Sequence, residues 1–212
     1  PHKEALDTIR SQDCRIGLFL DKNVVIRNHN VYDSVVEIDF SSPEDMLAGL
    51  AGKKLQVDGL VCTYENYIVA RSQLAEHFKL IAPSLASAQM STDKYLMRQA
   101  FMQADSSITP SFGLIASKEE LLKLAQRLNY PLILKPTNLV KSLLVLRCNN
   151  EAELLRNFTY AKERVLSLYK KYRVYDRQPR LILEEYVEGK TCSIAAFVDK
   201  NGKPHFCEGV VS

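Results

Sequence analysis

The sequence YPLILKP, residues 130–136, contains a short apolar run that carries one lysine, Lys135, at its end. Proline flanks the run on both sides, and its length is that of an average strand, so the run predicts a buried strand. Burying an ammonium group without a partner is unfavourable. This favours an anion beside Lys135, with phosphate as the commonest candidate. A lysine whose stem is buried while its ammonium reaches water explains this stretch equally well.

The composition predicts a soluble globular protein of the cytoplasm. The chain has 212 residues, of which 46% are hydrophobic, enough for a proper core in one large or two modest domains. Its five cysteines are scattered without a spacing that suits zinc, which predicts reduced thiols. A net charge of +3 is too small to predict nucleic-acid binding. No apolar run approaches the roughly 18 residues that span a membrane.

Residues 1–85 show the pattern of a small doubly wound parallel sheet. Apolar runs at residues 14–20, 35–40 and 59–63 alternate with helical patterns, as they do in such sheets. Ligands bind there beyond the carboxyl ends of the strands, so Glu65, just after the third run, is a candidate contact for a substrate amine. An acid that stabilises the start of the following helix is the more ordinary role for Glu65.

Residues 86–212 mix helices with antiparallel strands and predict a second, α+β domain. After a connector at residues 82–89, Asp93 is placed to cap a helix over 94–104 whose first turn contains Lys94. The helix dipole disfavours a cation at this position, which hints at a role for Lys94. Further strands are predicted at residues 111–115, 132–135, 143–147, 180–184, 191–199 and 205–212, and further helices at 117–128 and 150–169.

The order of these features resembles the ATP-grasp superfamily. A capped helix with Lys94 precedes a strand with Lys135, a serine-containing loop, a long helix, the segment LEEYVEG at 183–189 and a hairpin. The resemblance covers about residues 91–212, and residues 15–81 are similar to the domain that precedes ATP-grasp modules. It implies an α/β protein in which a small doubly wound parallel sheet is followed by a partial α+β ATP-grasp domain.

Within the superfamily, the chain looks most like the carboxylate-amine ligases of the dipeptide-synthesising and carbamoyl-phosphate-synthase-like kind. Such enzymes use ATP and Mg²⁺ to convert a carboxylate to an acyl phosphate, which an amine or similar nucleophile then attacks. By position, Lys94 resembles the lysine that reaches the α or β phosphate, and Lys135 resembles the lysine buried beside the adenine and α-phosphate. The implied partners are a nucleotide and small-molecule carboxylate and amine substrates, without nucleic acid or membrane.

Residues 184–187 resemble the hinge that recognises adenine in this family. By position, the carbonyl of Glu185 would accept from the exocyclic amine and the N–H of Val187 would donate to the ring, with Leu183 and Val187 on either side of the base. Glu184 belongs to the same segment and is an ATP-binding candidate. Taken alone, the acids of this segment, Glu184, Glu185 and Glu188, are explained as well by a solvated strand end.

Two departures from the family pattern affect the expected nucleotide site. The loop at residues 137–144, TNLVKSLL, contains no glycine, although the family uses glycine there to bring backbone N–H groups to the phosphates. Ser142 keeps a hydroxyl in this loop, and Lys141 could supply charge. Thr191 stands where the family has a glutamate for the ribose hydroxyls, and it can make one such hydrogen bond instead of two.

The metal-binding acids and the acyl-phosphate arginine of the family lie beyond the hairpin, that is, beyond Ser212. The chain begins at Pro1 and ends within an apolar run, so we expect a fragment without metal ligands that is inactive by itself, because phosphoryl transfer depends on metal and charge placement. Three functions stay open at this stage. They are the amino-terminal part of an ATP-dependent ligase, a degenerate homologue that binds a nucleotide or partner without catalysis, and an α/β scaffold whose lysines are structural.

Overall fold

The structure is a computed structural model that describes residues 3–26, 29–174 and 177–211. These residues form two units. Unit 1 consists of the described parts of Pro1–Thr92 and Leu166–Pro179, and unit 2 of those of Asp93–Val165 and Arg180–Ser212. The division into a preceding domain (1–85) and an ATP-grasp domain (86–212) stays a prediction.

Unit 1 contains a parallel pair of strands with helices beside it. Its elements are α1 (Lys3–Arg10), β1 (Gly17–Asp21), β2 (Ser34–Ile38), α2 (Pro43–Ala48), α3 (Ile68–His77) and α4 (Leu85–Thr92). β1 and β2 pair in parallel along their whole length, which confirms the predicted parallel arrangement for these two strands. A core of Ile38, Met46, Leu50 and Leu74 lies between the strands and the helices.

Two predictions for unit 1 are wrong. Residues 59–63 form no strand, and Val61 is 80% exposed, so this run lacks the burial that an inner strand requires. The supposed connector at 82–89 contains most of α4. The hydroxyl of Ser84 accepts from the N–H of Ser87 at 3.2 Å and caps this helix, which is rich in alanine and other helix formers.

Unit 2 is built on a four-stranded antiparallel sheet. Its elements are α5 (Lys94–Ala104), β3 (Phe112–Ile115), α6 (Lys118–Ala125), β4 (Leu132–Pro136), β5 (Leu146–Cys148), residues 151–165 of α7 (Glu151–Lys171), β6 (Leu181–Glu185), β7 (Ser193–Val198) and β8 (Pro204–Val211). The strand order is β3-β6-β4-β5, and β7 and β8 form a separate antiparallel pair. The predicted α+β character of this part is confirmed.

Alternation along the strands gives this sheet one apolar and one polar face. On the apolar face, Leu132, Leu134 and Leu183 are fully buried. α6 covers this face so closely at Gly113 that an added Cβ would lie 2.7 Å from a methyl group of Leu124. The missing side chain at Gly113 therefore leaves room for the Leu124 side chain of α6.

The polar face is the one that carries the candidate site. Ile133 pairs with Glu184 across β4 and β6, and Lys135 pairs with Ile182, so Lys135 and Glu184 are diagonal neighbours on one face. α5 lies against this face, where the rings of Tyr95 and Phe112 meet edge to face at 5.7 Å. The helix and the strands therefore converge on the same charged residues.

Candidate functional site

A buried ionic cluster occupies the polar face of unit 2. Glu184 Oε1 pairs with the ammonium of Lys135, and Glu184 Oε2 lies 3.1 Å from Arg98 Nε. The side chains of Glu184, Lys135 and Arg98 are only 6%, 12% and 20% exposed. The ammonium of Lys135 therefore pairs with a carboxylate of this chain, and the Lys135 side chain is mostly buried.

Counted over the described residues, the cluster has more positive than negative charge. Lys135 and Arg98 share the single carboxylate of Glu184, while Asp93, which lies near the loop after β4, pairs with Arg180. Charge interactions are stronger where water is excluded, and a buried excess of cations is unfavourable until an anion joins it. The electrostatics of the polar face therefore favour an anionic ligand.

Lys94 lies beside the end of the strand that carries Lys135. Its backbone N–H donates to Thr137 O at 2.8 Å, and its ammonium donates to Leu139 O at 2.7 Å and Thr137 O at 3.4 Å. Thr137 directly follows β4, so the structure brings together the segments of the two predicted nucleotide lysines. Lys94 also holds the first part of the loop at 137–144 against α5.

Asp93 joins α5, the loop after β4 and Arg180, the residue before β6, through one carboxylate. Its Oδ1 accepts from the N–H groups of Tyr95 and Leu96, as predicted for the helix cap, and its Oδ2 accepts from Asn138 Nδ2 at 3.1 Å and Arg180 NH2 at 2.7 Å. Burial acts to raise the pKa of Asp93, but the hydrogen bonds from Leu96 and Arg180 outweigh it and leave the pKa below its ordinary value.

The hydrogen bonds and the ion pair of the Asp93 carboxylate, here called the Asp93 clamp, lead to a pH-dependent prediction. A carboxylate whose folded-state pKa is depressed stabilises the fold above its unfolded pKa of about 3.9, and this stability is lost as the pH falls through the folded pKa. Asp93→Asn keeps a good helix cap but lacks the charge. We expect it to lower the free energy of unfolding at pH 7 by about 1.5–3 kcal/mol, measured by urea denaturation. The difference from the wild type should shrink below pH 4, and a difference that stays constant down to pH 2 would contradict the clamp.

The glycine-free loop adopts backbone angles that usually require glycine. Lys141, Ser142 and Leu144 have φ values of 56°, 55° and 55°, in the left-handed region that costs a residue with a Cβ about 1–2 kcal/mol. The start of the loop is buried at Thr137, Asn138 and Leu139, whereas Lys141 and Ser142 are exposed. The loop is thus anchored at one end and strained at the other.

This strain can be tested at Ser142 with a matched pair of variants. Ser142→Gly and Ser142→Ala both remove the hydroxyl, but only glycine relieves the left-handed conformation. Glycine also increases the conformational entropy of the unfolded chain, which lowers stability, but the relief of backbone strain is the larger effect. We therefore expect the glycine variant to be about 1 kcal/mol more stable than the alanine variant. Chemical denaturation of both proteins measures this difference. Equal stabilities would mean that the described loop conformation is not retained in solution.

The end of β6 offers hydrogen-bonding groups to a ligand. The N–H of Glu185 donates to Ser111 O at 3.0 Å, and the carbonyl of the same residue points to the same side of the strand. The N–H of Ser111 lies 3.3 Å from the Glu185 carboxylate, so it does not continue the ladder between the strands. Among the described residues, the N–H of Val187 has no backbone partner, and the Val187 side chain is 67% exposed.

The structure places the remaining predicted site residues in different surroundings. Leu183 is fully buried on the apolar face, opposite to Lys135 and Glu184, so its predicted place beside the base is wrong. Lys141, Ser142 and Thr191 are exposed. No side-chain hydrogen bond of these three residues is found within the described parts of the chain, and their nucleotide contacts stay predictions.

Glu65 lies in unit 1, where it is exposed at the start of a single 3₁₀ turn. The carboxyl end of β1 is filled by Asp21, which accepts from the Tyr67 hydroxyl at 2.9 Å and lies 3.7 Å from Arg173. Burial, and then the bond to Asp21, raise the pKa of Tyr67. The substrate contact predicted for Glu65 stays a prediction.

Sequence reasoning missed Arg98, Asn138 and Arg180. Arg98 lies four residues after Lys94 on the same helix, a spacing that places both on one helical face, so this residue could have been found. Arg180 lies 87 residues from Asp93 in the sequence, and Asn138 lies 45 residues from it. The fold alone brings these three residues together. No local pattern indicates such a meeting.

Within the described residues, the structure contains no group of three or more His, Cys, Asp or Glu side chains that could hold a metal ion. No helix in the same ranges is both long and apolar enough to cross a bilayer.

The comparisons with known proteins match part of the chain to one family. Residues 128–210, which include Lys135 and the hinge, match the family described as ATP-grasp domain. This match confirms the resemblance to the ATP-grasp superfamily that the sequence predicted.

Individual relatives agree with this class. A putative urea carboxylase of Emericella nidulans is 30% identical over 131 residues, which cover 59% of this chain and 10% of that protein. The L-amino acid ligase of Bacillus licheniformis has a similar structure, with a TM-score of 0.74 at 18% identity over 95% of this chain and 47% of the ligase.

The biotin carboxylase domain of the Hydrogenobacter thermophilus 2-oxoglutarate carboxylase was solved with MgADP, ADP and bicarbonate. It matches with a TM-score of 0.67 at 18% identity, over 96% of this chain and 46% of that domain. The chain therefore has the α/β fold of the ATP-grasp ligases, and it spans about half the length of the solved structures that it matches.

Proposed function

We propose that this chain supplies part of the ATP site of a ligase that joins a carboxylate to an amine, or to a similar nucleophile, through an acyl phosphate. The observation that carries the proposal is the buried cluster in which Lys135 and Arg98 share Glu184. An excess of buried cations favours a polyanion. Lys94, which lies beside the end of β4, can add a further ammonium. The match of residues 128–210 to the ATP-grasp domain supports the same ligand.

The phosphates would lie between the lysines and the loop. Lys135 approaches the α-phosphate from the polar face, and Lys94 approaches from the start of α5, where it now donates to Leu139 O. Lys141 and Ser142 are exposed on the loop and would close over the outer phosphates. An ammonium group suits this role because it neutralises phosphate as a point charge from several directions.

The base would bind at the end of β6. The carbonyl of Glu185 accepts from the amine of adenine, and the N–H of Val187 donates to the ring nitrogen next to it. Guanine presents an acceptor and a donor in the reverse order, so this edge favours ATP over GTP. Glu184 contributes by holding Lys135, and Thr191 makes one hydrogen bond to the ribose.

The remaining roles follow from the resemblance. Glu65 would contact the substrate amine, and Mg²⁺ would bind together with the nucleotide. When bound, Mg²⁺ neutralises charge that develops on the transferred phosphoryl group. The chain alone would bind nucleotide without turning it over.

Nucleotide binding is tested by unfolding experiments with MgATP and with MgGTP. A ligand at 100 times its dissociation constant adds about 2.7 kcal/mol to the free energy of unfolding. We expect this stabilisation with MgATP and a much smaller one with MgGTP at the same concentration. Equal stabilisation by both nucleotides would contradict the base recognition, and no stabilisation by either would contradict the ATP site.

A second candidate function is nucleotide binding without catalysis. The strained, glycine-free loop at Lys141, Ser142 and Leu144 favours it, because that loop has lost the residue type that closes most easily over phosphate. The two functions are distinguished by ADP release from ATP in the intact protein, assayed against a panel of amino acids and small carboxylates. Release that depends on one carboxylate and one amine supports the ligase, whereas binding without release supports the degenerate homologue.

A further inference from the structure

Arg98 is a charged residue of the candidate site for which the family resemblance supplied no role. It lies on α5, and its guanidinium contacts both oxygens of Glu184, with Nε 3.1 Å from Oε2 and NH2 3.5 Å from Oε1. Lys135 binds the same carboxylate through Oε1. One buried carboxylate therefore serves two cations, of which only Lys135 is expected to reach the nucleotide.

We propose that Arg98 is a positioning residue that makes Lys135 available to a nucleotide phosphate by sharing the charge of Glu184. This inference rests on the proposed function, since it assumes that Lys135 binds ATP. It concerns a different question, which is how a lysine already paired with a buried carboxylate can turn to a second anion.

Glu184 needs another charged partner when Lys135 moves to a phosphate. The Glu184 side chain is only 6% exposed, so it cannot exchange a lost partner for water. Separating one partner of a buried ion pair is strongly unfavourable when the other charge is left alone. With Arg98 in place, Glu184 keeps a charged partner, and the transfer of Lys135 from carboxylate to phosphate becomes an exchange between two anions.

The geometry of Arg98 suits this role better than direct phosphate binding. Two nitrogens of its planar guanidinium are directed at the two oxygens of one carboxylate, which is the arrangement that holds an arginine most firmly. Arginine also stays charged in every environment of this kind. α5 itself is fixed at its start by the bonds of Asp93 and Lys94 to the loop after β4, so the guanidinium has a defined place behind the lysine.

A double-mutant cycle tests the inference. The dissociation constant of MgATP is measured by calorimetric titration for the wild type, Arg98→Met, Glu184→Gln and the double variant. Arg98→Met should weaken binding about tenfold or more, since tenfold corresponds to 1.4 kcal/mol. In the Glu184→Gln background Lys135 has no carboxylate to leave, so the same substitution should change the affinity about twofold or less. Arg98→Lys, which restores a charge, should recover part of the loss.

Two results of this cycle would overturn the inference. If Arg98→Met weakens binding equally in both backgrounds, Arg98 acts on the nucleotide directly and not through Glu184. If Arg98→Met binds MgATP as the wild type does, Arg98 has no role in the site, while the proposed function itself stands.

A second measurement needs neither nucleotide nor a folded Glu184→Gln variant. The rate at which an amine-acylating reagent modifies Lys135 is followed by peptide mass spectrometry, relative to the exposed Lys123 on α6. In Arg98→Met the carboxylate belongs to Lys135 alone, so labelling of Lys135 should slow several-fold while the free protein stays folded by circular dichroism. If the Lys135-to-Lys123 labelling ratio is the same in Arg98→Met and in the wild type, the inference is overturned, whether or not the wild type binds a nucleotide. A wild type that binds no nucleotide would by itself contradict only the proposed function.

Discussion

Replacing Glu184 with alanine should lower the free energy of unfolding by about 3–5 kcal/mol, because it leaves buried cations without their carboxylate. The side chains of Lys135 and Arg98 are 12% and 20% exposed, so water can replace the lost carboxylate only in part. Urea denaturation at pH 7 measures this decrease in the free energy of unfolding. The variant that stays folded without urea should keep the secondary structure of the wild type.

The neighbouring acid provides the matched control for this prediction. Glu185 points to the other face, and the contacts of its carboxylate within residues 3–26, 29–174 and 177–211 are long, 3.3 Å to the Ser111 N–H and 3.5 Å to the Asn129 N–H. Glu185→Ala should therefore lower the free energy of unfolding by about 1 kcal/mol or less. If the two alanine variants were equally stable, Glu184 would not be the centre of a buried ionic cluster.

Replacing Lys135 with methionine should weaken MgATP binding by about 30- to 100-fold, the equivalent of 2–3 kcal/mol for a charge-assisted contact with phosphate. Methionine keeps the length of an unbranched side chain. Glu184 also retains Arg98 as a partner, so the variant should lose far less stability than Glu184→Ala. Calorimetric titration gives the affinity, and denaturation gives the stability.

Lys123→Met is the control for this second prediction, since Lys123 is an exposed lysine on α6. We expect its MgATP affinity to equal that of the wild type. A Lys135→Met protein that binds MgATP as tightly as the Lys123→Met protein would contradict the assignment of Lys135 to the nucleotide.

Local rules were sufficient for several parts of this structure. Asp93 was predicted as a helix cap from its position before a helical pattern, and its carboxylate does accept from Tyr95 and Leu96. The strand at Lys135 was predicted from one apolar run between prolines, and β4 (Leu132–Pro136) lies there. In each case the determining interactions involve neighbours in the sequence.

Other parts depend on pairings that no local pattern contains. The partner of Lys135 is Glu184, 49 residues away, and it is chosen by the register between β4 and β6. Leu183 was misplaced beside the base because that register also decides which residues share a face. The run at 59–63 has strand composition but lies exposed at Val61, and burial is a property of the whole fold. The positive φ angles of Lys141 and Ser142 could not be predicted, because a loop without glycine usually avoids such angles.

We propose that the polar face of unit 2 binds ATP with its base at the end of β6 and its phosphates at the lysines. A crystal structure of the protein with bound MgADP tests this most directly. We expect the adenine amine at about 2.7–3.2 Å from the Glu185 carbonyl oxygen, the adjacent ring nitrogen at the Val187 N–H, and Lys135 in contact with a phosphate oxygen. A nucleotide bound elsewhere, with Lys135 still paired only with Glu184, would contradict it.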